Sequence, residues 1–489
     1  MSQMSNPKTA PVTCNSWGRR RKRSKMEKPD FTKGLPDDVL SHILSFLSID
    51  EAVRCSVLSK KWLNLWKNTS HIEFNVKKMM KPLTQLLHSR EPQTSLDSSL
   101  LIGNSVCKTV SRYGFLVYPI ILRHTSDLSS CKFVHVWKSL VYGDVQSWIK
   151  VLLRFKKGVT NLSLECEPDY GEVTEHFMSK NNVMVQKPYF PPRTFANLAS
   201  LELINYVIDC PEAFIGCINL KTLKLNMMNI DEVILGGILE NCVALENFSL
   251  LDSIGFDKLI IINQSLKVLQ LQKLCVDELK VSCQNLKVLL FDCIICEPNG
   301  VGIQTPNLTT FRSYCYSMYD VSDEEGRSIL KIREILAHSS QEYPSRNVFI
   351  NLSTLSLDLD LNHLGEVKDL YAVLLLCSCL QVLEISLPVF EHQSFFLSND
   401  HVLPYPIISK FWERENLCYC VNKKLKFVCI RGFKGSEQEV GFVKYLISRA
   451  TMMKRITIIS NGLLEDADQK LFSLVPRASG NLSINFKFN

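Results

Sequence analysis

Residues 31–66 read FTKGLPDDVLSHILSFLSIDEAVRCSVLSKKWLNLW, and their spacing predicts three short helices in close succession. Pro36 opens the first, where a missing N–H costs nothing, and Asp37 and Asp38 fall in its first turn, where the helix dipole favours negative charge. Leu40, Ile43, Leu44 and Leu47 follow at i, i+3, i+4 and i+7 as one apolar stripe. Ser48 and Glu51 fit a capping box that starts a second helix running to Leu58. Ser59 can cap a third, in which Trp62 and Trp66 share a face. So short a segment cannot bury this much apolar surface within itself, so the surface must find a partner. That is the physical profile of a docking module.

The Leu35-Pro36 pair, the Asp-Asp-Val-Leu run, the Ser-Val-Leu-Ser-Lys-Lys-Trp stretch and the closing Leu-Trp resemble the plant form of the F-box. The resemblance implies binding to a Skp-type adaptor, and through it to a cullin–RING ubiquitin ligase. Carried over by position, it makes Leu35, Pro36, Leu40, Ile43, Leu47, Leu58 and Trp62 the expected adaptor-facing residues.

Beyond this segment the chain repeats itself. L-x-x-L-x-L occurs at Leu198/Leu201/Leu203, Leu220/Leu223/Leu225, Leu266/Leu269/Leu271 and Leu352/Leu355/Leu357. Leu245/Phe248/Leu250, Leu286/Leu289/Phe291 and Leu380/Leu383/Ile385 keep the apolar identity. The first leucines are spaced by 22, 25, 21, 20 and 22 residues from Leu198 to Leu308, then by 44, two periods, to Leu352. This is the leucine-rich-repeat period. The alternation predicts short parallel strands with leucines inward and the residues between them outward. Asp231–Glu240 and Lys368–Leu376 are the returning helices, and Asp144–Phe155 with Val159–Leu164 forms an earlier unit. The outward slot between the last two motif leucines holds Glu202, Lys224, Gln270 and Ser356, the expected target-binding positions. The ninth position, usually Asn or Cys, is Tyr206, Met228, Leu274 and Ile294 in successive units, so no continuous asparagine ladder is expected there and the solenoid should be irregular. The Leu308 unit breaks down at Ser313, and Asp320–His338 reads as a helical insertion that either caps a sub-array, contacts a partner or simply packs.

Near the C-terminus, Leu425–Ile430 alternates like a strand, Gly432 to Gly435 brackets a turn, Ser436 and Glu439 fit a second capping box, and Arg455–Ile459 returns as a strand. The run Ile-Arg-Gly-Phe-Lys-Gly-Ser-Glu resembles the FBD domain. The order F-box, repeats, FBD resembles the plant F-box/FBD/leucine-rich-repeat family over nearly the whole chain. The FBD is expected to extend and close the solenoid, protecting its end.

Composition bounds the rest. The 489 residues are 46% apolar and 21% charged, an ordinary globular make-up. The net charge of +7 is uneven: residues 1–30 carry eight basic and two acidic side chains, which leaves +1 for the remainder. An extended nucleic-acid footprint is therefore not indicated. Arg19, Arg20, Arg21, Lys22, Arg23 and Lys25 form a dense cationic run that is either a nuclear-import signal or a solvated tail. No apolar run reaches the ~18 residues of a membrane span, and no secretory signal is recognisable. The eighteen cysteines read as reduced thiols used as small apolar residues, and Cys293-x2-Cys296 alone has zinc-like spacing, without a second ligand pair. No phosphate loop, nucleophile elbow or H-E-x-x-H motif is present, so no cofactor and no catalytic residue is assigned.

The expected fold class is α/β, with a basic tail (1–29), a three-helix F-box (30–72), a connecting region (73–140), an irregular leucine-rich-repeat solenoid (141–400) with a helical insertion near 320–338, and an α/β FBD module (401–489). The expected function is a non-catalytic substrate receptor of a Skp–cullin–F-box ubiquitin ligase, in the nucleus and/or the cytoplasm. The alternative is a non-ligase protein-interaction scaffold, with the nucleus as one location. A small-molecule-gated receptor is a third reading.

Overall fold

A computed structural model describes residues 34–75, 78, 114–136, 143–156, 158–167, 190–297, 300–314, 328–330, 332, 335, 349–388, 411–414, 417–460 and 472–488. The basic run at 18–25 lies outside these residues, as does most of the connecting region.

Two α-helices open the described chain, α1 (Asp37–Leu44) and α2 (Ile49–Arg54). Pro36 sits one position earlier than expected, as the extended N-cap of α1. The capping box forms as the sequence implies: the Ser48 N–H donates to Glu51 Oε2 at 3.2 Å and the Ser48 hydroxyl to the same oxygen at 2.7 Å. These bonds hold the Glu51 carboxyl below the usual carboxylate range. After Arg54 the chain tightens into 3₁₀ turns at Cys55–Val57 and Trp62–Asn68, so the third element is not an α-helix. It starts with the Trp62 N–H donating to the Ser59 carbonyl at 3.1 Å, an i→i+3 bond.

The sheet begins at once. Strand β1 (His71–Asn75) pairs in parallel with β2 (Ser130–Val136), and β2 with β3 (Asn161–Glu167). Residues 71–75 and 130–136 thus supply the first two rungs of the solenoid, so the described parts of this region are more than a connector. Their inward residues are Ile72, Phe74, Cys131 and Phe133, with no leucine among them, which is why the leucine motif did not reveal them. The helical residues 114–123 and α3 (Asp144–Phe155) cover one face here.

The main sheet continues through β4 (Ser200–Ile204), β6 (Thr222–Asn226), β8 (Asn247–Leu251), β10 (Val268–Val276), β12 (Val288–Cys296), β14 (Thr310–Tyr314), β16 (Thr354–Asp358) and β17 (Val382–Ser386). Every pair is parallel, and the motif leucines stay in register: Leu201 opposite Leu223, Leu223 opposite Phe248, Phe248 opposite Leu269. The Leu308 unit holds despite Ser313, which keeps its place between Phe291 and Leu357. Inward side chains merge into one continuous core that also takes in Leu40, Leu44 and Trp66 of the N-terminal helices.

On the covered face the returns differ along the chain. Helices α4 (Glu232–Asn241) and α5 (Leu364–Leu376) serve two units. Between them the returns are strands, β9 (Lys258–Ile262), β11 (Glu278–Ser282) and β13 (Val301–Gln304), which form a second parallel sheet; before α4 the short β5 (Val207–Ile208) pairs with β7 (Asn229–Ile230). Alternating, β-branched sequences such as KLIII favour that choice. Five units carry a left-handed residue two positions after the last motif residue, Asn205, Met227 and Asp252 in turns and Lys273 and Cys293 as kinks within β10 and β12, with φ between 46° and 62°. None is glycine, so each carries a conformational cost of about 1–2 kcal/mol.

A polar ladder exists, but away from the ninth position. Cys217, Cys242, Asn263, Cys283 and Thr305 each lie three residues before a motif leucine and are buried. The Asn263 amide donates to the Cys242 and Leu239 carbonyls at 3.1 and 3.4 Å, and the Cys283 thiol faces the Ile261 carbonyl at 3.7 Å. A second, exposed column runs through Asn285, Asn307 and Asn351, each donating to the carbonyl of the preceding turn. Cys283 and the asparagines bind backbone between rungs, whereas the Cys217 and Cys242 thiols meet each other and the Thr305 hydroxyl is buried without a partner among the described residues.

The expected helical insertion is corrected in part. Strand β15 (Ser328–Ile329) pairs antiparallel with the long β12, Ile295 opposite Ile329, and the Leu330 N–H donates to the Ile294 carbonyl at 2.8 Å. Residues 332 and 335 are helical, and the rest of 320–338 lies outside the described residues.

The C-terminal segment prolongs the same sheet. Short helices α6 (Phe411–Arg414) and α7 (Tyr419–Lys423) lead into β18 (Phe427–Arg431), which pairs with β17 in register, Leu383 opposite Val428 and Ile385 opposite Ile430. Helix α8 (Glu437–Arg449) returns to β19 (Arg455–Ser460), and β20 (Ser483–Phe488) follows. Ser436 caps α8 through the Glu439 N–H at 3.3 Å, but the Glu439 carboxylate reaches back further than a capping box, to the N–H groups of Lys434 and Gly435 at 2.8 and 2.9 Å. Burial raises its pKa despite those bonds. The module extends the sheet without closing it: among the described residues β20 has a strand neighbour on one side only.

Candidate docking and recruitment surfaces

The N-terminal helices turn apolar side chains both ways. Leu40 is 0% exposed and Leu44, Ile49, Ala52, Trp62, Leu65 and Trp66 are buried with it in the chain's own core. Outward stand Val39, Ile43, Phe46, Val53, Val57, Leu58 and Leu63, with Phe46 74% and Leu58 64% exposed. The expected adaptor-facing set therefore divides. Ile43, Leu58 and Pro36 are exposed, and Leu35 and Leu47 are half-buried against the core. Leu40 and Trp62 are corrected: they hold the helices together and offer a partner no surface. The sequence reading missed Val39, Phe46, Val57 and Leu63; the signal for them was a second apolar stripe, 39-43-46, beside the one that was noticed. Lys61 fastens the entry to α1, donating to the Leu35 carbonyl at 2.5 Å and pairing with Asp37 at 3.5 Å.

The open face of the sheet carries one side chain per strand in a continuous row. From β1 to β20 it reads Glu73, Lys132, Ser163, Glu202, Lys224, Ser249, Gln270, Leu290, Arg312, Ser356, Glu384, Cys429, Thr457 and Asn485. Glu202, Lys224, Gln270 and Ser356 all occupy this row, as their spacing implies. Their availability differs. Glu202 pairs with Lys224 at 2.8 Å and accepts from Ser163 at 2.8 Å. Burial would raise its carboxyl, but those two partners outweigh it and hold it low. Lys132 pairs with Glu165 at 2.8 Å, and Gln270 accepts from Ser249 at 3.4 Å. Ser356 is 0% exposed and donates to Glu384, so it is corrected from a contact position to an internal one. From β2 to β10 the row satisfies most of its own polar groups, so a partner there must compete with existing pairs.

Among the described residues no group of three or more His, Cys, Asp or Glu side chains is arranged to hold a metal, and no helix is long and apolar enough to cross a membrane. Burial raises the thiol pKa values of Cys131, Cys377 and Cys420, which makes them poor nucleophiles. One buried polar link ties the early rungs together: His135, pushed down to about 4 by burial, meets the Tyr206 hydroxyl at 2.5 Å.

Three family models match the chain in turn: the F-box domain at residues 33–72, the LRR repeats of an FBD-associated F-box protein at 171–385, and the FBD at 413–458. F-box protein At1g80960 of Arabidopsis thaliana is 28% identical over 458 residues, covering 89% of this chain and 84% of that protein. F-box/FBD/LRR-repeat protein At1g13570 of the same plant is 23% identical over 483 residues, covering 94% and 99%. F-box domains generally bind Skp1-type adaptors, and the pairing of F-box with LRR repeats indicates a substrate-adaptor type of role in ubiquitin ligation. The outward apolar residues thus lie in the F-box match, the leucine rungs in the repeat match and β18 to β19 in the FBD match, and over most of its length the chain is similar to plant F-box and F-box/FBD/LRR-repeat proteins.

Proposed function

We propose that this chain is the target-recruiting subunit of a Skp–cullin–F-box ubiquitin ligase. The observation that carries the reading is the concentration of seven exposed apolar side chains between Val39 and Leu63, all within the residues that the F-box model matches. Burying one such side chain is worth about 1.5–3 kcal/mol, so four of them supply enough to hold an adaptor after the cost of association is met. The open face of the sheet then holds a target protein near the ubiquitin-charged enzyme. The chain needs no acid, base or cofactor for this; it raises the effective concentration of a target lysine. Nuclear import through Arg19–Lys25 is part of the proposal, with action in the nucleus, the cytoplasm or both.

The test is capture of a purified Skp-type adaptor, and with it a cullin, by the full chain and by Ile43→Asp/Leu58→Asp. Wild type should retain both proteins and the variant neither, at equal melting temperature. Capture of neither protein by folded wild type would overturn the ligase reading in favour of the interaction scaffold.

A further inference from the structure

The charge of this chain is segregated along its sheet. Residues 411–489 hold 13 basic and 7 acidic side chains, so with the +6 of residues 1–30 the stretch between, 31–410, has a net charge of −5. In the last three rungs the outward positions are Phe427, Cys429 and Arg431 on β18, Arg455, Thr457 and Ile459 on β19, and Ser483, Asn485 and Lys487 on β20. Three are cations, all exposed, and none is acidic. Among the described residues the nearest carboxylate in these outward rows is Glu384 of β17, already engaged by Ser356 at 3.1 Å and by Arg431 at 3.7 Å. Among the earlier rungs Lys132 is matched to Glu165 and Lys224 to Glu202, while Arg312 of β14 is only part-exposed and keeps a buried Nε without a partner among the described residues.

We infer that the FBD is the part of the recruitment face that takes an acidic, extended segment of the target protein; this rests on the target-recruiting reading above. Arg431 and Lys487 share one register row two strands apart, about 10 Å, which is roughly one three-residue turn of a chain extended in the polyproline II form, whose side chains at i and i+3 share a face. Carboxylates at that spacing can meet both cations, with Ile459 between them as an apolar contact. A nucleic acid fits less well. Three cations are too few for backbone tracking, and the Phe427 ring is covered by the Arg455 guanidinium at 5.5 Å, which removes it as a base-stacking platform.

The test uses the full chain and a fluorescent peptide of Glu-Val-Thr repeats, with Lys-Val-Thr repeats as its counterpart, followed by anisotropy. The acidic peptide should bind and the basic one should not. Arg455→Glu/Lys487→Glu should weaken binding about tenfold or more, while Lys423→Glu/Arg449→Glu, the same charge change on the helical side, should leave it unchanged. Equal loss in both variants would reduce the effect to overall charge and overturn the proposal. Displacement of the peptide by single-stranded RNA of higher affinity would also overturn it. So would tenfold tighter binding after Glu465→Gln/Asp466→Asn/Asp468→Asn, since the chain's own acidic stretch would then be the occupant. Adaptor capture by Arg455→Glu/Lys487→Glu should stay at the wild-type level, and a chain that captures no adaptor can still bind the peptide, so the two readings fail separately.

Discussion

The F-box and the solenoid are built from the same kinds of side chain and dispose of them in opposite ways. In the solenoid Leu223 and Leu225 go inside and Lys224 between them goes out, so apolar surface is consumed and charge is displayed. In the F-box Leu40 goes inside and Ile43, three residues on, is 44% exposed. A strand has two faces, and period-two alternation assigns each residue to one of them. A short helix on a core has apolar residues to spare, and those it cannot bury become the docking face. The difference teaches where to look for partners: leftover apolar surface in the F-box, leftover charge on the sheet.

The sharpest way to break that contrast is within the solenoid. Leu269→Ala, on an inward position, should lower stability by about 2–5 kcal/mol, whereas Leu290→Ala, one strand over on the outward row, should change it by less than about 0.5 kcal/mol in chemical denaturation. Equal losses would mean the two faces are not distinct. Next in size is a pH effect at the early rungs. His135 is neutral in the fold with its pKa lowered to about 4, while the unfolded chain binds a proton near 6.5. Its contribution is therefore complete above about pH 6.5 and lost as pH falls toward 4, about 3 kcal/mol at most. His135→Gln should flatten the melting-temperature profile across that window, and an unchanged slope would assign the acid sensitivity to other groups.

The relocated ladder gives a smaller effect. Asn263→Ala strips two buried carbonyls of their donor and should cost about 1–3 kcal/mol, read from the denaturation midpoint. Smallest, and opposite in sign, is Met227→Gly. It relieves a left-handed residue at φ 53° and should stabilise by roughly 0.5–1 kcal/mol, against which the entropy of an added glycine works.

Much of this fold was legible because leucines at fixed spacing state their register directly. What escaped had physical reasons. The first two rungs use Ile72, Phe74, Cys131 and Phe133, which satisfy a strand's inward face as well as leucine does but carry no motif. The ladder was sought at the ninth position, while Cys217, Cys242 and Asn263 occupy the turn before the strand, where buried carbonyls need donors. The left-handed positions escaped because Asn, Met, Asp, Lys and Cys fill them instead of glycine. In the F-box the helices were readable, yet their facing was not: both stripes of α1 are apolar, and only packing against the 3₁₀ turn Trp62–Asn68 decides which one turns in. The row of outward residues was readable too, but not that Glu202 and Lys224 would pair with each other.

The central claim is that the outer F-box side chains dock a partner while the inner ones hold the fold. Titrating a purified Skp-type adaptor into the full chain, with melting temperature recorded on the same samples, tests it for Phe46→Asp against Leu40→Ala. The account predicts that Phe46→Asp weakens adaptor binding by more than about tenfold at unchanged melting temperature, and that Leu40→Ala lowers the melting temperature while the folded fraction binds as wild type does. Undiminished binding by Phe46→Asp, or a direct loss of affinity in folded Leu40→Ala, would contradict it.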